Sequence, residues 1–197
     1  MPTLNSSIAL LIIDMQQGIN THRLGPRNNP TAESQITRLL TAWRAAQAPV
    51  VHVRHMSRSP ASVFWPGQPG AQFQVEFTPL ATEHVMEKNV PDAFANSGLA
   101  RWLHERGIRD VVIVGVATNN SVESTARSAG NLGFATRVVA DACFAFAQAD
   151  YAGARHSAET VHAMALANLQ ADYASIVSTD ALLDAFYGSA ATPAAGS

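Results

Sequence analysis

The sequence predicts an α/β protein with a mostly parallel sheet and helices on both of its faces. Short continuous apolar runs, such as ALLIID (9–14) and RDVVIVG (109–115), alternate with longer segments of helical spacing, the pattern of repeated strand–helix units. The first run is apolar on consecutive residues and ends in an acid, as a strand buried on both faces does where it emerges from the sheet. The longest apolar runs, Ile8–Ile13 and Val111–Val116, are far too short to span a bilayer, so no membrane partner is expected.

Taken in order, Ala9–Asp14 is the first strand. Pro30–Gln47 follows as a helix, with Ile36, Leu39, Leu40 and Trp43 on one face and Pro30 suited to its first turn. Pro49–His55 (PVVHVRH) reads as the second strand. Residues 56–82 form a long segment rich in glycine, proline and aromatics. Loops of that length are functional or disordered, and Phe64, Trp65 and Phe73 argue for a structured lid or an interface. A short third strand at His84–Lys88 leads to a helix near Gly98–Arg106. Arg109–Gly115 is the clearest strand in the chain. A helix follows from near Asn119 to Gly130–Gly133, then a fifth strand at Ala135–Asp141 and a long helix at Tyr151–Gln170. Ala174–Val177 is the sixth strand, with a short helix after it. Residues 1–187 are read as one domain. The tail GSAATPAAGS (188–197) has the composition of a disordered segment, and no internal repeat is visible.

With 197 residues, 47% of them hydrophobic, the chain can bury a sizeable core. A net charge of −2 with scattered Lys and Arg argues against nucleic acid, because phosphate binding needs a basic face. The N-terminus lacks a basic segment followed by a long apolar one, so no signal peptide is expected. The single cysteine, Cys143, excludes an intramolecular disulfide and fits a cytoplasmic location; it reads as a small buried hydrophobe.

In parallel α/β sheets, ligands bind beyond the carboxyl ends of the strands. That rule selects Asp14 after strand one, Lys88 at the end of strand three, and the Gly115–Ser121 turn after strand four. Each has a plain reading: a turn acceptor for Asp14, a solvated strand end for Lys88, and a first-turn residue for Ser121, in a helix capped by Thr118 or Asn119. Together, a carboxylate, an ammonium and a hydroxyl on one rim make a proton-relay and nucleophile set.

The segments ALLIIDMQQG (9–18), VMEKNVPDAF (85–94) and VGVATNNSVESTARSAG (114–130) resemble, in order and spacing, the three signature segments of the isochorismatase-like, or cysteine hydrolase, superfamily. PGQPGAQF (66–73) and VVADAC (138–143) are similar to family members too, and the resemblance extends over most of residues 6–180. It implies a Rossmann-like three-layer α/β/α sandwich and a catalytic triad of Asp, Lys and Cys. In the family's amidase branch the Asp accepts the thiol proton, the Cys attacks a carbonyl, the Lys orients both, and water hydrolyses the acyl-enzyme. By position Asp14 matches the Asp and Lys88 the Lys. The resemblance also implies a cis peptide at Val116–Ala117, which would help aim the N–H groups of Ala117 and Ser121 at a developing oxyanion.

One departure stands out. The family pattern reads G-V-A-T-N-x-C-V-E-S-T, and Ser121 occupies the cysteine's place. Three readings of it remain. It is a deliberate, disabling Cys-to-Ser change, since a hydroxyl ionises far less easily than a thiol; or a natural serine nucleophile served by Asp14; or a mark of the branch that cleaves a vinyl ether by acid catalysis without a nucleophile. The context VATNxxVEST is that of the amidase branch.

Other candidates are weaker. Phe64 and Trp65 could cover a small planar substrate, Phe94 could line the pocket as an aromatic near that place does in relatives, and Gln16 and Asn119 could hydrogen-bond a substrate amide. His52 and His55, three apart across a strand end, point to different sides and have no Asp beside them, so no metal is expected. His156 and His162, six apart on the long helix, read as solvated or capping residues. No GxGxxG or P-loop accompanies the first strand, so no nucleotide or other cofactor is expected. The resulting expectation is a hydrolase acting on the C–N bond of a small amide, carbamoyl or ureide compound. The resemblance adds a homo-oligomer, dimer or tetramer, that buries the long loop. A catalytically inactive binding protein is the non-enzyme alternative, and retention of both Asp14 and Lys88 speaks against it.

Overall fold

The apolar runs become the strands of one six-stranded sheet in the computed structural model, which describes residues 4, 6–21 and 24–187. The strands are β1 (Ile8–Ile13), β2 (Val50–His55), β3 (His84–Lys88), β4 (Asp110–Val116), β5 (Ala135–Phe144) and β8 (Ser175–Val177), with a small hairpin, β6 (Gln148–Ala149) and β7 (Arg155–His156), between the last two. The helices are α1 (Ala32–Ala45), α2 (Leu99–Glu105), α3 (Glu123–Asn131), α4 (Ala158–Asp172) and α5 (Thr179–Tyr187).

The sheet order is β3-β2-β1-β4-β5-β8, and every neighbouring pair is parallel. Alternate residues of β1 feed opposite cores, as a period of two requires. Ile8, Leu10 and Ile12 pack with Ile36, Leu39 and Trp43 of α1 and Phe186 of α5. Ala9, Leu11 and Ile13 pack with Leu103 of α2, Ala126 of α3 and Leu169 of α4. The predicted three-layer α/β/α arrangement is therefore what the chain adopts. The chain winds outward from β1 to β3 and then returns to place β4 on the other side of β1. The switch point of the sheet lies between β1 and β4, where a ligand crevice is expected.

Two sequence expectations need correction. The helix read at Tyr151–Gln170 begins later: the Asp150 carboxylate accepts the Ala152 and Ala154 N–H groups, each at 2.9 Å, and Gly153 turns with φ +90, so the chain makes a hairpin first. Helix α4 starts only after Ser157, whose hydroxyl accepts the Thr160 N–H at 3.3 Å. Strand five continues past Asp141 to Phe144, so Cys143 lies within it, opposite Gly115, rather than after it. The long segment 56–82 is structured, with short 3-10 turns at Pro69–Ala71 and Val75–Phe77; it is bonded to the end of β1 through Gln17 N–H to Gln72 O (2.9 Å) and Gln74 N–H to Met15 O (3.1 Å). The tail at 188–197 lies outside the described residues.

Candidate active site

The carboxyl ends of three strands bring Asp14, Lys88 and Ser121 together. Asp14 immediately follows β1 and takes a left-handed backbone, φ 53, while its N–H donates to Val53 O at 2.8 Å. Lys88 ends β3, two strand spacings or roughly 10 Å from β1, and its side chain reaches back over the end of β2. Its ammonium donates to Asp14 Oδ2 at 2.7 Å and to Ser121 Oγ at 3.1 Å. Only 1% of the Lys88 side chain and 7% of the Asp14 side chain are exposed, so this ion pair is shielded from solvent.

Ser121 is delivered by a turn with unusual geometry. The peptide Val116–Ala117 is cis, and residues Thr118–Val122 make one π-helical turn before α3 begins. Gly115 allows β4 to press against β1 here. It sits at φ +116, and a Cβ on it would lie 2.2 Å from Ile13 O.

Burial pushes the Asp14 carboxyl above the usual carboxylate range, outweighing the opposing pull of Lys88 and the contact with Ser121. Asp14 Oδ1 has no hydrogen-bond partner among the described residues. Residue 14 therefore pairs one oxygen with Lys88 and keeps the other free as an acceptor. The site opens into a cavity of about 440 Å³, a size suited to a small ligand. Phe64, Phe146, Ile19 and Leu24 give it apolar walls, and Asn119, Asn120 and Gln148 supply amides. His55 lines it too; burial and then Lys88 lower the pKa of its imidazole, with Asp14 opposing.

Of the sequence-derived candidates, Ala117, Phe64 and Asn119 join Asp14 and Ser121 in the cavity lining. Gln16, Trp65 and Phe94 do not. Gln16 is fully buried and clamps the main chain: its Nε2 donates to His55 O and Ala71 O, both at 3.0 Å, and its Oε1 accepts the His55 N–H at 2.7 Å. Trp65 lies in the loop with its N–H bonded to Ser62 O. Phe94 stacks on Phe134 at 5.7 Å.

His52 and His55 do point apart. His52 is buried against Glu83 (Nε2 to Oε2, 2.9 Å), while His55 faces the cavity. Among the described residues no group of three or more His, Cys, Asp and Glu could hold a metal. His156 is on the hairpin and not on the helix, 2.9 Å from Asp150. His162, read as solvated or capping, is buried with Nδ1 2.8 Å from Thr118 Oγ1. Cys143 is buried away from the cavity, and burial pushes its thiol up. Among the described residues no helix is long and apolar enough to cross a membrane.

The sequence reading missed His55, Phe146 and Gln148 as cavity residues. His55 carried a usable signal, since a parallel β2–β3 pairing sets it beside Lys88. Phe146 and Gln148 lie past the point where strand five was expected to end.

Residues 8–181 match the family described as Isochorismatase domain. A crystal structure of an isochorismatase-family protein from Chromobacterium violaceum ATCC 12472 is similar with a TM-score of 0.90 and 43% identity, covering 95% of this chain and 100% of that one. An uncharacterised isochorismatase family protein of Bacillus subtilis, YrdC, is 35% identical over 90% of this chain and 95% of its own length. Nicotinamidase 3 of Arabidopsis thaliana is 29% identical over 93% of this chain and 91% of its own.

Proposed function

Because the chain belongs to the isochorismatase family of hydrolases, we propose that it cleaves the C–N bond of a small amide, carbamoyl or ureide compound through Asp14, Lys88 and residue 121. One observation carries the reading: a buried ammonium bonded at once to a carboxylate and to a hydroxyl at the edge of a ligand-sized cavity. The similarity to a nicotinamidase favours an amide bond.

The side chain of residue 121 attacks the substrate carbonyl carbon, and its proton passes to Asp14, whose raised pKa and free Oδ1 suit it to receive one. Backbone N–H groups of Ala117 and residue 121 steady the developing oxyanion. Collapse of the tetrahedral intermediate breaks the C–N bond, and the departing amine takes the proton from Asp14. Water then attacks the acyl-enzyme, giving its proton to Asp14, and residue 121 regains its own as the acid leaves. Lys88 keeps the carboxylate and the nucleophile in reach of each other throughout. Ser121 stands where the amidase pattern has cysteine, and a hydroxyl is a poorer nucleophile than a thiol under these conditions. The chain as given is therefore expected to turn over slowly, and Ser121→Cys to turn over faster.

A second reading has one observation of its own. A carboxyl whose pKa burial raises keeps its proton to higher pH, so Asp14 has a proton to donate to a vinyl ether with no nucleophile involved.

Ammonia release from a panel of small amides, carbamoyl amino acids and ureides distinguishes the two. The expected result is turnover by Ser121→Cys that Asp14→Ala or Lys88→Ala abolishes. Release of no ammonia by either form, together with cleavage of a vinyl ether by the chain as given, would overturn the amidase reading.

A further inference from the structure

The turn that carries Ser121 is held along its length by main-chain bonds. The Asn120 and Val122 N–H groups donate to Ala117 O at 3.0 and 3.2 Å, and the Glu123 N–H reaches the carbonyls of Asn120 and Thr118. These bonds fix the shape of the turn but not its lean toward Lys88. Two side-chain bonds tie the turn to other elements from its own first residues. Asn119 Nδ2 donates to Gln148 Oε1 at 3.2 Å in an exposed contact. Thr118 Oγ1 lies 2.8 Å from His162 Nδ1, and both residues are buried.

His162 stands on a well-fixed element. Helix α4 is capped by Ser157 and buries Val161, Ala165, Leu166 and Leu169 beside the imidazole. Burial lowers the pKa of His162 and favours the neutral ring, which offers one donor and one acceptor nitrogen. A threonine hydroxyl can answer either. Thr118 is three residues before Ser121 in the same turn, so the contact acts as a lateral stop on the segment that aims residue 121.

We propose that His162 is a positioning residue: through Thr118 it sets the lean of the turn, and with it the distance from the side chain of residue 121 to Lys88. The inference rests on the reading of residue 121 as the nucleophile, and its test separates the two.

The test uses the Ser121→Cys protein. The rate of alkylation by iodoacetamide against pH reads the thiolate at position 121, because the thiolate is the reactive form and the Lys88 ammonium stabilises it. Cys143 is buried, and peptide mapping assigns the label. Adding His162→Leu or Thr118→Val is expected to move the alkylation midpoint to higher pH and slow labelling at neutral pH about tenfold, the effect of one unit in thiol pKa. On an amide substrate kcat falls while KM changes little. His162→Asn, which puts a polar atom where Nδ1 stood, and Thr118→Ser keep the parent behaviour; His162→Gln, reaching one bond farther, does not. The Leu/Val double variant is no worse than either single, since both remove the same contact.

A lowered Tm with an unmoved alkylation midpoint and an unchanged kcat would overturn the proposal and leave the contact as packing alone. If His162→Leu does not fold, Thr118→Val, a near-isosteric loss of one hydroxyl, decides by the same readouts. If no form releases ammonia, the amidase reading fails while the alkylation profile still decides the positioning role.

Discussion

Replacing Lys88 by methionine tests the buried ion pair without any assumption about substrate. Methionine keeps an unbranched apolar stem and removes the charge, leaving the Asp14 carboxylate shielded with no counter-ion. Breaking a buried pair from one side costs about 3–5 kcal/mol, because the remaining charge stays desolvated. For a chain of 197 residues, about 1 kcal/mol moves Tm by roughly 2–4 °C, so a fall of roughly 6–20 °C is expected. The penalty also depends on pH. Asp14 already has a folded-state pKa above its ordinary value, so its contribution favours folding at low pH and is lost as pH rises through the folded value. Without Lys88 the upward push of burial is less opposed and the gap widens. The Lys88→Met penalty is therefore largest at mildly alkaline pH and shrinks toward mildly acidic pH, where Asp14 takes up a proton. Asp14→Asn added to Lys88→Met recovers most of the loss, since no charge is then left buried. Denaturant unfolding followed by tryptophan fluorescence, with Trp43 fully buried as one reporter, measures the parent, the single variant and the double variant. A Lys88→Met penalty under about 1 kcal/mol that is independent of pH, the size of an exposed pair, would refute the reasoning.

Three further outcomes follow from the geometry. Gly115→Ala forces a Cβ to within 2.2 Å of Ile13 O at φ +116; it is expected to destabilise by at least about 2 kcal/mol by thermal melting. Burial pushes the Glu83 carboxyl up, but Arg44, the Leu80 N–H and His52 outweigh it and hold its pKa at about 2. A carboxylate held low stabilises above its unfolded pKa and is lost as pH falls toward about 2, so Glu83→Gln should flatten the acid limb of the stability profile. The chain as given has one buried thiol, so a disulfide reagent titrates it only after unfolding, whereas Ser121→Cys adds one fast-reacting thiol in the native state.

How much of this was legible depended on whether local pattern or distant packing decided each residue. Asp14, Lys88 and Ser121 were readable because each ends an apolar run or follows one, and the carboxyl-end rule then gathers them. Where a side chain turned out to bond its own neighbourhood, the pattern misled: Asp150 folds residues 150–154 into a turn inside a stretch with helical composition. Gln16 was read as a side chain that could hydrogen-bond a substrate amide. Its amide instead meets the main chain of His55 and Ala71, a partnership set by the course of the long loop. Phe94 was drawn away from the cavity by Phe134, forty residues on, which no local spacing could announce. His162 looked solvated for the same reason: its partner, Thr118, is brought to it only by the packing of the turn on α4.

Among the described residues strand β3 pairs on one side alone, with β2, and Val85 and Glu87 along it are exposed. The ammonium that holds the site together is thus supplied by the outermost seam of the sheet. Peeling of that seam takes far less than undoing the double core, since stability is not uniform across a fold and its margins open first. Warming should therefore silence the site while Trp43 remains packed, so that the temperature of half-activity lies below the temperature of half-unfolding. On the proposed function, the durability of the site is governed by its hem, and reinforcing β3 is expected to raise the temperature of half-activity without altering Asp14, Lys88 or residue 121.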